Sequence, residues 1–210
     1  MRSSLRISLF AAAATAGAVC AFTLGVIFLP QSQQLLVALT PVAGSSARER
    51  LEATAQLQRF FYTRDTALIA RYTPDERAHL QEVATIIGTV PWLLLACTLA
   101  AIVLGFRGYR GHGIPWLRQA LRSACQASLA VTLRFLVLGS LLFTVLFQWF
   151  HQLAFVQAPW AFDPAESKLV VLFPPQYFQA ATTFVLLGTA AAATMGWLLI
   201  AREATKKPRG

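Results

Sequence analysis

Four stretches of this 210-residue chain are long, apolar and nearly free of charge: Ile7–Leu29, Val83–Phe106, Ala124–Phe155 and Leu169–Ala201. Only Arg134 interrupts them. A bilayer is crossed by about 20 apolar residues in a helix. The pattern therefore predicts spans over residues 7–29, 83–106, 130–152 and 179–200. Arg2 and Arg6 before an alanine-rich run have the look of a secretory signal. The apolar run continues through Phe22, Leu24, Val26, Ile27 and Phe28, well past a signal core of about 7–15 residues. The first segment is read as a retained span.

Between the first two spans, residues 30–82 alternate polar and apolar positions at helical spacing. Ser45-Ser46 can cap a helix over Arg48–Tyr62, with Ala53, Leu57, Phe60 and Phe61 on one stripe. Thr73-Pro74-Asp75-Glu76 reads as a capping box with proline at the first helical position, feeding directly into the second span. The fold class is thus an all-α integral membrane protein, residues 1–210 forming one membrane domain. It has four transmembrane helices and a helical extracytoplasmic cap over 30–82. Pattern alone leaves the cap as either decoration or a substrate lid.

Composition agrees: 56% of residues are hydrophobic and 13% charged, and the mean hydropathy is +0.55. Disorder, collagen and coiled coil are excluded by so little charge with so much apolar mass. A net charge of +9 would suggest nucleic acid in a soluble protein. Here the charges are sorted by side. Arg2 and Arg6, then Arg107, Arg110, Arg118 and Arg122, then Arg202, Lys206, Lys207 and Arg209 flank the spans on one face. The positive-inside bias places that face, and both termini, in the cytoplasm. In residues 30–82 six arginines meet six acids. The excess charge is topological, and no nucleic-acid partner is expected.

Cys20, Cys97 and Cys125 are isolated, so no disulfide or redox pair is expected. His112 lies between glycines in the basic loop and reads as solvated. His79 precedes the second span and His151 ends the third. Arg134 to His151 is 17 positions, roughly 26 Å of helix, nearly the thickness of the hydrocarbon core. With Arg134 snorkelling to the inner face, His151 lies at the outer one, on the side from which His79 enters. Neither imidazole is expected to fill an apolar core. Glu76 and Glu82 are each three residues from His79 and can share its face. Either could set its tautomer. Glu76-Arg77-Ala78-His79 has the ligand spacing of di-iron bundles, but no second such motif exists, so no metal and no other cofactor is expected. Trp160 reads as an interfacial anchor, and Asp163 as a turn residue, an orienter of His151 or an ammonium partner.

These residues resemble the bacterial lipoprotein intramolecular transacylase family, Lit. Phe150-His151, Ala158-Pro159-Trp160-Ala161-Phe162-Asp163-Pro164, Leu169-Val170-Val171-Leu172-Phe173-Pro174 and Tyr177-Phe178 carry the resemblance. Thr73 through His79, leading to Glu82-Val83, is a second match. Glu82 stands where the family pattern suggests aspartate.

The resemblance implies an acyltransferase of the bacterial inner membrane, with its site facing outward. It would move the sn-2 acyl chain of a diacylglyceryl lipoprotein onto the α-amino group of the N-terminal cysteine. Its partners would be diacylated lipoproteins and membrane lipid. His79 and His151 would be catalytic, with His79 the favoured base and the reverse open. Glu82, Glu76, Asp163, Trp160 and Tyr177 would support them or bind substrate. The alternatives are a haem held by both histidines and a non-catalytic scaffold.

Overall fold

The computed structural model describes residues 3–155 and 159–205, the last three as backbone only. Arg2, Ala158, Lys206, Lys207 and Arg209, named above, lie outside the described residues. Among the described residues all regular structure is helical: α1 (Ser3–Phe28), α2 (Pro30–Leu39), α3 (Ala47–Thr63), a 3-10 turn (Thr66–Ile69), α4 (Pro74–Ala154), α5 (Lys168–Leu172) and α6 (Pro175–Thr205). Three of them, α1, α4 and α6, are long and apolar enough to cross a membrane.

At 81 residues, a straight α4 would be about 120 Å long. Yet the rings of His79 and His151, near its two ends, are 6.0 Å apart. The helix reverses within its length. Gly113 has φ 70°, a left-handed conformation that only glycine adopts without strain. Trp116 folds back onto Gly108, where an added Cβ would meet the indole ring at 2.1 Å. The segment around Arg107–Arg122, expected as a loop between spans, is therefore helical on both sides of a tight turn. The physical reason is that Leu104 and Arg107 before the turn and Leu117, Arg118 and Ala120 after it favour helix, while Gly113 and the nearby Pro115 mark the reversal. His112 is exposed there, as expected.

The chain divides into two compact units. The first comprises Met1–Thr23, Pro91–Val137 and Val185–Gly210. Its core joins Ile7, Phe10 and Ala11 to Trp116, Ala120 and Ala124, with Phe10 edge-on to Trp116 at 6.3 Å. Thr15 and Ser128 hydroxyls pair at 2.9 Å, and small residues allow close approach, as where Gly188 meets the Phe22 ring.

The second unit comprises Leu24–Val90 and Leu138–Phe184. α2, which the sequence pattern missed, starts with Pro30 at its first turn. α3 begins one residue before its expected start, with Ser46 accepting from the Glu49 N–H at 3.1 Å. It ends at Arg64 in the left-handed region (φ 62°), whose guanidinium donates to the Ala84 carbonyl and lies over Gly88, where an added Cβ would displace it.

Arg50 is 1% exposed. Its guanidinium donates to the carbonyls of Leu172 (2.8 Å), Val37 (3.4 Å) and Thr40 and to the Thr40 hydroxyl (3.1 Å). The carbonyls of Val37 and Thr40 end α2 and that of Leu172 ends α5, where the helix dipoles favour a cation. Burial pulls its pKa below the ordinary arginine value, opposed by the Tyr177 phenol. Tyr177 is buried, donates to Gln33 and lies under Arg50 at 5.8 Å. Tyr177, expected to support the histidines or bind substrate, thus has Gln33 and Arg50 as its neighbours.

Candidate active site

Within the second unit, the capping box expected at Thr73 is complete. The Thr73 hydroxyl accepts from the Glu76 N–H at 3.2 Å and the Glu76 carboxylate accepts from the Thr73 N–H at 2.8 Å. That fixes the first turn of α4 and, one turn later, the direction of His79. At the other end of α4, Phe147, His151 and Phe155 follow at four-residue spacing and share one stripe.

The two imidazoles face each other with ring centroids 6.0 Å apart and planes 18° from parallel. Phe155 closes one side, 4.4 Å from His79 and 5.1 Å from His151. Phe147 lies 4.0 Å from His151, Phe162 lies 5.7 Å from His79 and Trp160 lies 5.2 Å from His151. His79 is 7% exposed. The ring expected to fill no large apolar core is nonetheless enclosed, by His151 and Phe155 at the end of α4 and by Phe162 beyond it.

The Nδ1 of His151 lies 2.7 Å from the Phe147 carbonyl. A carbonyl only accepts, so Nδ1 carries the proton and a neutral ring keeps its lone pair on Nε2. The Nδ1 of His79 is buried with no partner, and so is Oε2 of Glu82.

Glu76, expected behind His79, is engaged elsewhere. It is 1% exposed, and Oε1 accepts from the Ser167 hydroxyl at 2.6 Å and the Leu169 N–H at 2.9 Å. Ser167 in turn caps α5. One carboxylate thus caps α4 and pins the segment that carries Trp160 and Phe162. Asp163 is exposed and builds the turn: its Oδ1 accepts from Ala165 N–H at 2.8 Å and its carbonyl from Glu166 and Ser167 N–H. The hydrogen bond that His151 makes through Nδ1 goes to the Phe147 carbonyl. Sequence reasoning missed Ser167, Phe147 and Phe155. The i, i+4 aromatic spacing around His151 was the available signal for the last two. Among the described residues no group of three or more His, Cys, Asp or Glu side chains could hold a metal ion.

A pair of imidazoles, His79 buried and His151 half-buried, walled by aromatic rings suits proton transfer in a site of restricted water access. Comparison with known proteins adds the following. A family model described as Lipoprotein intramolecular transacylase Lit matches residues 8–178. No curated protein matches the chain. Among solved structures, the membrane integral lipoprotein intramolecular transacylase Lit from Bacillus cereus is similar at a TM-score of 0.79, with 16% identity over 96% of this chain and 97% of that one. Two variants of that protein, with a histidine replaced by alanine or by arginine, give TM-scores of 0.72 and 0.67. Each is 17% identical; they cover 99% and 96% of this chain and 96% and 92% of their own.

Proposed function

The chain belongs to the lipoprotein intramolecular transacylase family, Lit, and we propose that its two stacked histidines move the sn-2 acyl chain of a diacylglyceryl lipoprotein onto the α-amine of the N-terminal cysteine. Membership makes it a membrane-integral acyltransferase and sets aside the haem and scaffold alternatives. The single observation that supports the histidine assignment is the face-to-face pair at 6.0 Å.

Two imidazoles suit the proton count. An α-ammonium, with pKa about 7.7–8.0, sheds two protons on becoming an amide. One ends on the glycerol oxygen and one leaves. His79, with its Nδ1 unpartnered, takes the first and frees the amine to attack the ester carbonyl. Protonated, it has two N–H donors and can stabilise the oxyanion. His151 takes the second proton at Nε2 and returns it to the departing glycerol oxygen. Amine and ester belong to one molecule, so no acyl-enzyme is needed and proximity supplies the entropic advantage. Trp160 and Phe162 cover the pair and exclude water.

Expression of the protein with a diacylated reporter lipopeptide tests the reaction. Mass spectrometry should show an unchanged total mass with one acyl chain moved from the glyceryl to the amino-terminal fragment. A reporter that keeps both chains on glycerol would refute the reading.

The same reading has four spans in the inner membrane, the arms of α4 supplying two, with both termini cytoplasmic and residues 30–82 capping the outer side. It rests on the basic asymmetry of the sequence. Cysteine introduced at exposed Tyr62 or Ala161 should react with a membrane-impermeant thiol reagent in intact cells, and one at His112 should not. The opposite pattern would invert the topology.

A further inference from the structure

Buried polar atoms without partners are uncommon in native proteins and call for an explanation. Two of those among the described residues sit on adjacent turns of α4: Nδ1 of His79 and Oε2 of Glu82. Three positions apart, they are neighbours on the helix surface, with Cβ atoms about 5–6 Å apart. No arginine, lysine or histidine makes an ion pair with Glu82 among the described residues. A carboxylate oxygen shielded from water without a cation is costly. The Glu82 oxygen is an acceptor, and so is Nδ1 of His79 when the ring carries its proton on Nε2; a positively charged donor would serve both.

The reaction brings one. We propose that Glu82 is the counter-charge for the substrate's α-ammonium group, holding it against Nδ1 of His79; this rests on the transacylase reading above. One N–H points to Oε2 of Glu82 and a second to Nδ1. Its proton passes to Nδ1, leaving the nitrogen lone pair free to attack. The positive charge moves onto the imidazole and stays beside the same carboxylate, so no charge is left unpaired in the site. The N-acylated product is a neutral amide that keeps one N–H but offers Glu82 no positive charge. The same contact therefore favours substrate over product and rejects lipoproteins that already carry an N-acyl chain.

The test compares two non-reactive ligands in detergent micelles: a dialkylglyceryl-ether cysteine dipeptide with a free amine, and its desamino counterpart. Neither has an ester to transfer. The wild type should bind the amine at least about tenfold more tightly, the scale expected for a buried charge partner. Glu82→Gln should lose that preference and raise KM for the diacyl substrate more than it lowers kcat. Glu82→Asp, which keeps the charge, should retain part of it. Equal affinity of the wild type for the two ligands would overturn the proposal, whether or not the glutamine variant folds. So would a preference unchanged in Glu82→Gln. A wild type that prefers the amine, loses the preference with Glu82→Gln, yet leaves the reporter lipopeptide unaltered would uphold the ammonium site and defeat the transacylase reading alone.

Discussion

Replacing either histidine by alanine is expected to abolish measurable acyl transfer. Loss of an acid–base group costs about 10²–10⁴ in rate, and loss of an oxyanion donor about 10²–10³. Because His79 is enclosed by Phe155, Phe162 and His151, His79→Ala also leaves a void in the aromatic cluster. His79→Phe and His151→Phe separate the two effects: they keep a ring in place but carry no proton. Both should fold and both should be inactive. The double alanine variant should be little worse than the poorer single one, since groups that serve one transition state are not additive. Single-turnover transfer on a synthetic diacylglyceryl lipopeptide, with thermal unfolding measured alongside, provides the readout. A folded variant without one imidazole that transfers at the wild-type rate would end the two-histidine mechanism. Chelators should leave the rate unchanged, since neither histidine is assigned to a metal.

The largest loss of stability is expected from Arg50→Met. Methionine fills much of the volume but leaves the carbonyls of Leu172, Val37 and Thr40 without their buried donor. A hydrogen bond to a charged group contributes about 1.5–3 kcal/mol, and an orphaned buried acceptor costs about 1–3 kcal/mol. A net loss of about 3–5 kcal/mol follows, after allowing for overlap among the bonds. Arg50→Lys should recover part, because an ammonium cannot reach three acceptors as a planar fork does. Thermal unfolding in micelles reads both. Arg50→Met with wild-type stability would show the network to be dispensable.

What the sequence made legible was local. Ser46 and the Thr73–Glu76 box were readable because a cap is written within four residues. The apolar spans were readable because hydropathy accumulates over about 20 positions. Counting residues from Arg134 put His151 at the outer face, on the side from which His79 enters, and left the depth of His79 open. Arg50 was invisible for the opposite reason. It is one of six arginines in a charge-balanced segment, and only contacts as far off as Leu172 distinguish it. Of the readings open for Asp163, the turn is the one whose hydrogen bonds are formed, and the Gln33 partner of Tyr177 lies too far along the chain to be read from pattern. The reversal of α4 was legible as the basic break, Arg107 to Arg122, between the second and third spans. Nothing in hydropathy says that the helix continues almost to the turn on both sides.

The double duty of Glu76 has a dynamic consequence. Its carboxylate closes the first turn of α4 through Thr73 and reaches 91 residues along the chain to Ser167. The aromatic cover and the turn leading to His79 consequently belong to one cooperative unit. Lifting Trp160 and Phe162 far enough to break the Ser167 and Leu169 bonds also loosens the helix start that aims His79. If the two ends open together through Glu76, amide protons at the start of α4 and α5 should exchange with a common protection factor.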